Sequence, residues 1–97
     1  MQLTLSKHAI VRAQQRGIPI HVVDWLLLYG SHEHDKRGCV FHYFDRRGRD
    51  RLTHDLHGVH MAELSKHLNS YAVLSRDGTV VTIGHRTHRV NRKGGGR

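Results

Sequence analysis

The stretch that most constrains the fold is YAVLSRDGTVVTIG, residues 71–84, where the pair Asp77-Gly78 separates two runs rich in apolar and β-branched residues. An Asp-Gly pair between such runs predicts a β-hairpin closed by a two-residue type I′ turn. This turn fixes the register, so that Leu74 is expected opposite Val81. The sequence therefore predicts two antiparallel strands late in the chain.

The predicted pairing gives the hairpin two different faces. One face is wholly apolar and is expected to join the core: Ala72, Leu74, Val81 and Ile83. The other face is mixed and is expected to be open to solvent or to a ligand: Tyr71, Val73, Ser75, Val80, Thr82, Gly84 and Arg86. Because a sheet must bury its apolar side, helices are expected to pack there.

Two helices are predicted before the hairpin. Ser6 is a good N-cap for the first, and Gly17 suits its C-terminal end. The second, Ile20–Tyr29, is apolar nearly all round. A helix of this kind is buried on several sides or lies in an oligomer interface, and a homodimer through the segment from Trp25 to Leu28 is one expectation.

The chain between the second helix and the hairpin is interpreted as five short segments. They are a polar connection (31–38), a strand (39–44), a turn (45–50), a returning strand (51–56) and a short third helix (60–68). Together these elements predict the fold class α+β, with two N-terminal helices packed on a small antiparallel sheet. In this interpretation residues 1–90 form a single domain, and the basic, glycine-rich residues 91–97 form a disordered tail.

The charge balance indicates a polyanionic partner. Lys and Arg number 16 against 8 Asp and Glu, which gives a net charge of +8 with neutral histidines. Such an excess favours nucleic acid first, and an anionic membrane surface or an acidic protein second. Charge of this kind supports affinity for phosphates but does not define a chemistry.

The cysteine content and the hydropathy predict a soluble, cytoplasmic protein without membrane association. Cys39 is the only cysteine, so no intrachain disulfide can form, which suits a reducing compartment. The N-terminal residues lack the apolar run of a signal peptide. The most apolar stretch, VVDWLLLY, is far shorter than the roughly 20 residues that cross a bilayer.

The first predicted helix carries His8, Arg12 and Arg16 four residues apart, and we call these three residues the basic stripe. At this spacing they lie on one side of a helix. An imidazole titrates near neutral pH and can move a proton, while a guanidinium matches phosphate oxygens with paired donors. The stripe is therefore a candidate site for a phosphodiester. A solvated basic face is the alternative that spacing alone leaves open.

A second candidate cluster lies at the end of the hairpin. His85 and Arg86 follow the last strand, and the register sets Arg86 on the same face as Tyr71 and Thr82, where hydroxyl groups and a guanidinium could hold RNA. A basic end to an edge strand is the alternative. Further contacts to nucleic acid are expected from the basic middle of the chain: Arg46, Arg47, Arg49 and Arg51.

The eleven histidines invite a metal-site interpretation, which the sequence does not favour. Zinc needs Cys, His or carboxylate ligands that converge on one point. No cysteine pair exists here, and the histidine pairs fall in predicted loops or strand ends. Cys39 is interpreted as a core strand residue rather than as a nucleophile. No metal ion and no other cofactor is therefore expected.

The N-terminal stretch SKHAIVRAQQRGI resembles the signature S-x-H-A-x-x-R-x-x-x-R-G-I of a bacterial and phage family of domains of unknown function. That family is similar to RelE/ParE-like toxins and to the wider barnase–EndoU–colicin–RelE fold group. The resemblance implies helices on a sheet and a metal-independent ribonuclease. It matches His8, Arg12 and Arg16 to the motif, and His85 and Arg86 to a late strand in VVTIGHR.

The residues and the resemblance leave different functions open. The first is a toxin-like, metal-independent endoribonuclease acting on RNA phosphodiesters, with His8 and His85 as the acid–base pair and an antitoxin or the ribosome as a further partner. Its phosphate contacts would be Arg12, Arg16 and Arg86, assisted by Tyr71 or Thr82. The alternative is a non-catalytic basic protein, phage or plasmid encoded, that binds nucleic acid or a ribonucleoprotein. A protein-interaction or inhibitor module is the third hypothesis. The sequence leaves open whether the protein is an enzyme.

Overall fold

Four helices and four strands follow one another along residues 3–86, the part of the chain that the computed structural model describes. In chain order they are α1 (Lys7–Arg16), α2 (Ile20–Tyr29), β1 (Ser31–His34), β2 (Val40–Tyr43), α3 (Arg46–Asp55), α4 (Met61–Lys66), β3 (Ser70–Leu74) and β4 (Val80–His85). The predicted α+β class is confirmed. The tail predicted for residues 91–97 lies outside the described residues.

The four strands form one antiparallel sheet in the order β1-β2-β3-β4. Strands adjacent in the sheet are also consecutive in the sequence, and α3 and α4 are inserted between β2 and β3. The register pairs Val40 with Leu74 and Tyr43 with Tyr71. Because successive side chains along a strand alternate, this register assigns one face of the sheet to the core and the other face to solvent.

The first helix begins and ends where its capping residues predict. The Ser6 hydroxyl accepts a hydrogen bond from the Ala9 N–H at 3.0 Å, and Gly17 adopts the left-handed conformation with φ of +66°. Ala9 and Ala13 are buried, and α1 packs against β4. Ile10 is 43% exposed, so the buried face of α1 is narrower than its apolar residues indicate.

The second helix is buried on several sides within one chain. It contacts β2, β3 and α3, and its buried residues are Val22, Val23 and Leu26. This burial explains why the sequence of α2 is apolar nearly all round. Trp25 packs against the core and Leu28 is 49% exposed, so a homodimer through this segment stays a prediction.

The core lies between the helices and one face of the sheet. It is one cluster of buried residues: Ala9, Ala13, Ile18, Val22, Val23, Leu26, Phe44, Leu52, Leu64, Ala72, Val80 and Ile83. Full burial of an aliphatic side chain contributes about 1.5–3 kcal/mol, so Leu52 and Leu64 anchor α3 and α4 to this cluster. Within residues 3–86, every helix is too short or too polar to cross a membrane.

The hairpin differs by one residue from its predicted register. Ala72 pairs with Ile83 as predicted, but Leu74 pairs with Val80 instead of Val81, and a bulge between Val73 and Leu74 separates the two registers. Val80 is therefore fully buried in the core, and Val81 is only half-buried. The predicted placements of these two valines were wrong.

The chemistry of the turn explains this shift. The Ser75 N–H donates to the Thr79 carbonyl at 2.9 Å, and Gly78 adopts φ of +88°. Asp77 Oδ1 accepts a hydrogen bond from the Thr79 N–H at 3.1 Å. These contacts close a loop of three central residues, which combines a type I turn with a left-handed residue and a bulge. An Asp-Gly pair suits this turn as well as the predicted two-residue turn.

The structure also corrects two segments in the middle of the chain. The edge strand β1 consists of Ser31–His34, which was predicted as part of a polar connection. Its sequence shows no alternation of apolar and polar residues. Residues 45–56, predicted as a turn and a strand, contain the helix α3. Gly48 and Leu52 are its buried residues, too few to produce a helical pattern in the sequence. The predicted third helix is confirmed as α4.

The helix α3 crosses the end of α2 at a glycine. A Cβ atom at Gly48 would lie 2.3 Å from the carbonyl oxygen of Tyr29, far inside contact distance. The Tyr29 hydroxyl donates to Asp55 at 2.5 Å, and the guanidinium carbon of Arg51 lies 5.7 Å from the centre of the Tyr29 ring. The absence of a side chain at position 48 therefore allows α3 to approach α2.

Replacing this glycine tests the close approach. Gly48→Ala should lower the melting temperature, because the new methyl group meets the Tyr29 carbonyl, although alanine favours a helix by about 1 kcal/mol over glycine. Asp50→Ala is the matched control on the same helix, since Asp50 is exposed and the change raises helix propensity without a clash. Thermal unfolding followed by circular dichroism measures both variants. A melting temperature of Gly48→Ala equal to or above the wild-type value would contradict the close approach.

Candidate nucleic-acid interface

An open cleft of about 1030 Å³ lies at the end of the sheet where β2 ends, β3 begins and β4 ends. Five arginines line it, and we call it the arginine cleft: Arg46, Arg47, Arg49, Arg51 and Arg86. The other lining residues are Tyr43, Phe44, Asp45, Asp50, Ser65, Leu68 and Asn69. Guanidinium groups thus outnumber carboxylates, and basic residues predicted from two separate parts of the sequence come together here.

The start of α3 places several of these arginines. Asp45 is the N-cap, and its carboxylate accepts a hydrogen bond from the Gly48 N–H at 2.8 Å and another from the Ser31 hydroxyl. Arg46 and Arg47 follow in the first turn, which contains no acidic residue. Cations near a helix N-terminus oppose the helix dipole, and the Asp45 carboxylate at the N-cap offsets part of this effect. The positive charge of the cleft therefore comes from its guanidinium groups, to which oxyanions bind well.

These hydrogen bonds stabilise the ionised form of the Asp45 side chain. Its partial burial acts to raise its pKa, but the hydrogen bonds from the Ser31 hydroxyl and the Gly48 N–H favour the charged form. The net effect is a lowered pKa. At neutral pH Asp45 therefore holds the start of α3 against the start of β1 as an ion.

Arg86 reaches the cleft from the end of β4. Its backbone N–H donates to the Asn69 carbonyl at 2.7 Å, and its guanidinium carbon lies 5.0 Å from the centre of the Tyr43 ring. A cation at this distance over an aromatic face makes a cation–π contact. The strand end and the tyrosine ring together hold this guanidinium in the lining of the cleft, which it shares with the arginines of α3.

Three aromatic rings extend from the cleft along the sheet, and we call Phe41, Tyr43 and Tyr71 the aromatic face. The ring centre of Phe41 lies 5.6 Å from that of Tyr43 and 5.2 Å from that of Tyr71. The Tyr43 hydroxyl donates to Glu33 at 3.0 Å. These residues alternate with the core residues of β2 and β3, so they lie on the side of the sheet opposite the core.

Tyr71 and Thr82 share this side of the sheet, as their register predicts. Tyr71 pairs with Gly84, and Thr82 pairs with Val73, two residues further along β3. A Cβ atom at Gly84 would lie 2.9 Å from the Tyr71 hydroxyl oxygen, so the tyrosine side chain lies directly over this glycine. Tyr71 and Thr82 are half-buried and lie beside the cleft rather than in its lining.

The basic stripe begins at the other end of β4. The Ser6 N–H donates to the Val80 carbonyl at 2.9 Å, so α1 starts beside the first residue of β4, whereas His85 is the last. Five residues of strand span about 16 Å. His8 is exposed and lies two residues after Ser6. The structure therefore places the two predicted catalytic histidines at opposite ends of a strand.

The two arginines of the stripe also lie apart from the cleft. Arg12 is half-buried, with its Nε enclosed by protein, and Arg16 is exposed. Neither residue lines the cleft. The structure thus gathers Arg46, Arg47, Arg49 and Arg86 but leaves the stripe on a separate surface.

His85 makes its ring contact with His67. The two ring centres lie 6.3 Å apart and the planes are 12° from parallel. His67 is 7% exposed, and burial, followed by the nearby His85, lowers its pKa. His85 precedes Arg86 in the chain and pairs with the buried Ser70, which sets it on the core side of the strand end.

Sequence reasoning missed several side chains of this interface. Phe41 and Tyr43 were interpreted as strand residues alone, although aromatic residues on both sides of His42 indicate a common face. Ser65 and Asn69 line the cleft and carry no signal in the sequence. Their position follows from the packing of α4, which spacing along the chain does not reveal.

Comparisons with protein-family profiles, with curated proteins and with solved structures found no match. The resemblance of the N-terminal stretch to a family signature therefore stays an expectation. Among residues 3–86 no three His, Cys, Asp or Glu side chains are grouped as metal ligands. The chemistry of the interface follows from its own side chains: guanidinium groups bind oxyanions, and aromatic rings accept flat apolar groups.

We expect mild acid to destabilise the protein, because two of its histidines have a lowered pKa in the folded state. Burial lowers the folded-state pKa of His42 and of His67. As the pH falls below about 6.5, the unfolded chain therefore binds more protons than the folded chain, and stability decreases until the folded-state pKa values are passed. Urea unfolding from about pH 8 to about pH 5 measures this decrease in the free energy of unfolding.

Variants separate this effect from general acid sensitivity. His67→Gln should flatten the pH dependence, because the group with the lowered pKa is removed. Gln15→Ala, at an exposed position without a titratable group, should leave the pH dependence close to that of the wild type. A wild-type free energy of unfolding that stays constant over this range would contradict the prediction.

Proposed function

We propose that the protein binds RNA and that the arginine cleft holds RNA phosphates. The observation that carries this proposal is the gathering of five arginines, from α3 and from the end of β4, around one cleft. A guanidinium donates paired hydrogen bonds to phosphate oxygens, so several of them around one cleft can hold successive phosphates. The net charge of +8 supports an affinity driven by electrostatics.

The electrostatic cost of the cleft supports a ligand of opposite charge. Arginines of like sign repel one another, and those in the first turn of α3 oppose the helix dipole. Asp45 and Asp50 compensate only part of this charge. A surface serving stability alone would carry acidic residues in the first turn. A bound phosphate would relieve the repulsion among the arginines.

RNA is favoured over DNA because of the uncharged polar residues in the cleft. Ser65 and Asn69 lie among the arginines, and their hydroxyl and amide groups can pair with a ribose 2′-hydroxyl, which DNA lacks. RNA is also the ligand that the N-terminal resemblance implies. A reducing cytoplasm, where RNA is abundant, suits the free Cys39, and we include this location in the proposal.

Salt dependence and charge reversal test the proposal. Affinity for a short fluorescent RNA, measured by anisotropy, should fall as salt rises. About five phosphate contacts correspond to a slope near −4 in a plot of log affinity against log salt concentration. Arg47→Glu should weaken binding roughly tenfold or more and make this slope shallower by about one unit, because it reverses a charge that lines the cleft.

Two matched variants locate the binding surface. Arg37→Glu makes the same charge change at an exposed position between β1 and β2, outside the cleft. Arg16→Glu makes it on the basic stripe. Both should weaken binding much less than Arg47→Glu. Equal losses in all three variants, or an affinity that does not respond to salt, would contradict binding in the cleft.

RNA cleavage is a second candidate function, favoured by the contact between His67 and His85, each of which directly precedes a cleft residue in the chain, Leu68 and Arg86. Neither imidazole lines the cleft itself. Arg86 lines the cleft, and His85 is stacked on His67, whose lowered pKa keeps its imidazole neutral and able to accept a proton near pH 7. Metal-independent cleavage needs a base for the 2′-hydroxyl proton and an acid for the leaving oxygen. His67 lies nearer to His85 than the start of α1 does, so His67 is the better placed partner imidazole. An antitoxin or the ribosome is a proposed partner only for this second candidate function.

Cleavage of labelled RNA in the presence of EDTA tests the second candidate. Wild-type protein should cut the RNA, and His85→Ala should cut roughly 10²–10⁴-fold more slowly if this imidazole is a general acid or base. The sequence motif predicts an equal loss of cleavage rate for His8→Ala. The position of His8 beside the start of β4, at the other end of the strand from His85, predicts a smaller loss. Intact RNA after incubation with wild-type protein would rule out cleavage and leave binding as the function.

A further inference from the structure

The interface also indicates which form of RNA it takes, an inference that rests on the proposed RNA binding. We infer that the ligand is single-stranded, with its phosphates in the arginine cleft and its unpaired bases stacked on the aromatic face. Three observations carry this inference: the partial exposure of the rings, their continuity with the cleft, and the placement of the arginines on one side of them.

The aromatic face presents flat rings at the surface. Phe41 and Tyr71 are half-buried on the side of the sheet away from the core, with ring centres 5.2 Å apart. Unpaired bases stack on such rings, and because every base has a π-face the contact depends little on sequence. Two neighbouring rings on adjacent strands therefore provide a platform for one or two bases.

Tyr43 connects this platform to the cleft. It lines the cleft, its ring centre lies 5.6 Å from that of Phe41, and the guanidinium of Arg86 lies over its ring. Tyr43 is only 6% exposed, so it supports the neighbouring rings rather than offering a stacking surface. The phosphate site and the stacking platform are thus parts of one continuous surface.

A double helix satisfies only part of this surface. In a duplex the bases are paired and stacked on one another, so their faces are closed to side chains, and phosphates run along two strands. Here the arginines lie on one side of the rings, beyond the ends of β2 and β4. A single strand can set its backbone in the cleft and turn its bases onto the rings at the same time.

Three RNA ligands of equal length test the inference on the wild-type protein. They are an unstructured single strand, a duplex, and a single strand without bases. The intact single strand should bind more tightly than the duplex at the same salt concentration. The strand without bases should bind about 5- to 150-fold more weakly than the intact strand, the range expected for losing one stacked base.

A variant then removes the ring while keeping the sheet packed. An aromatic cross-strand cluster also stabilises a sheet, so the substitution must preserve apolar contact. Phe41→Leu should weaken binding of the single strand by a factor in the same range, without changing binding of the duplex. Phe41→Tyr should restore the affinity. If Phe41→Leu unfolds, 2-aminopurine in the single strand gives the readout instead, since its fluorescence should fall on binding to the wild-type protein as the base stacks.

The outcomes distinguish the inference from the function on which it rests. Failure of the wild-type protein to bind any of the three ligands would overturn RNA binding itself. Equal, salt-dependent affinity for all three ligands, with no effect of Phe41→Leu and no change in 2-aminopurine fluorescence, would overturn the single-strand inference and leave RNA binding in place.

Discussion

The position of the arginine cleft depends on the hydrogen bonds of the Asp45 carboxylate. It accepts one hydrogen bond from the Gly48 N–H, which starts α3, and another from the Ser31 hydroxyl, which lies at the start of β1. The residue also follows directly on the end of β2 and Phe44, where the chain leaves the sheet. Because two strands and a helix meet at this one side chain, the direction of α3, and so of its arginines, follows from it.

Packing then holds the helix in that direction. Gly48 lets the backbone of α3 approach the Tyr29 carbonyl, and Leu52, one turn later, is buried in the core. The arginines of the cleft are therefore carried by a rigid element rather than by a loop. The backbone of such an element is already ordered, so binding a ligand costs the entropy of the side chains alone. Long, flexible guanidinium groups can then act as a positioned set and not only as diffuse charge.

The sequence predicted the helices at the start of the chain well because the signals there are local. Ser6 and Gly17 cap α1, and the apolar residues of α2 require burial wherever the helix lies. The hairpin was predicted except for its turn, where Asp77-Gly78 suits two loop lengths that differ by one residue. The helix α3 was missed because its N-cap bond and its two buried residues leave no periodic pattern.

For the interface, too, the sequence predicted arrangements within one helix or strand better than arrangements between distant elements. Spacing indicates which residues share a side of a helix or strand, and the register of β3 and β4 sets Tyr71 and Thr82 on one side as predicted. It does not indicate where a helix lies relative to a strand distant in sequence. The endoribonuclease hypothesis needs the basic stripe to lie near His85 and Arg86, whereas α1 starts at the opposite end of β4. The arginines of α3, counted only as general basic surface, are the ones that meet Arg86.

The two edges of the sheet differ in how they meet solvent. At β4, Leu5 forms a parallel bridge with Val80, and the Val80 N–H donates to the Thr4 carbonyl at 2.8 Å. At β1, the edge carries the exposed polar side chains of His32, Glu33 and His34. An unpaired, apolar edge strand invites strand addition from another chain, and polar side chains or a covering segment prevent it. The few residues before α1 therefore help to keep a small, basic protein from assembling edge to edge.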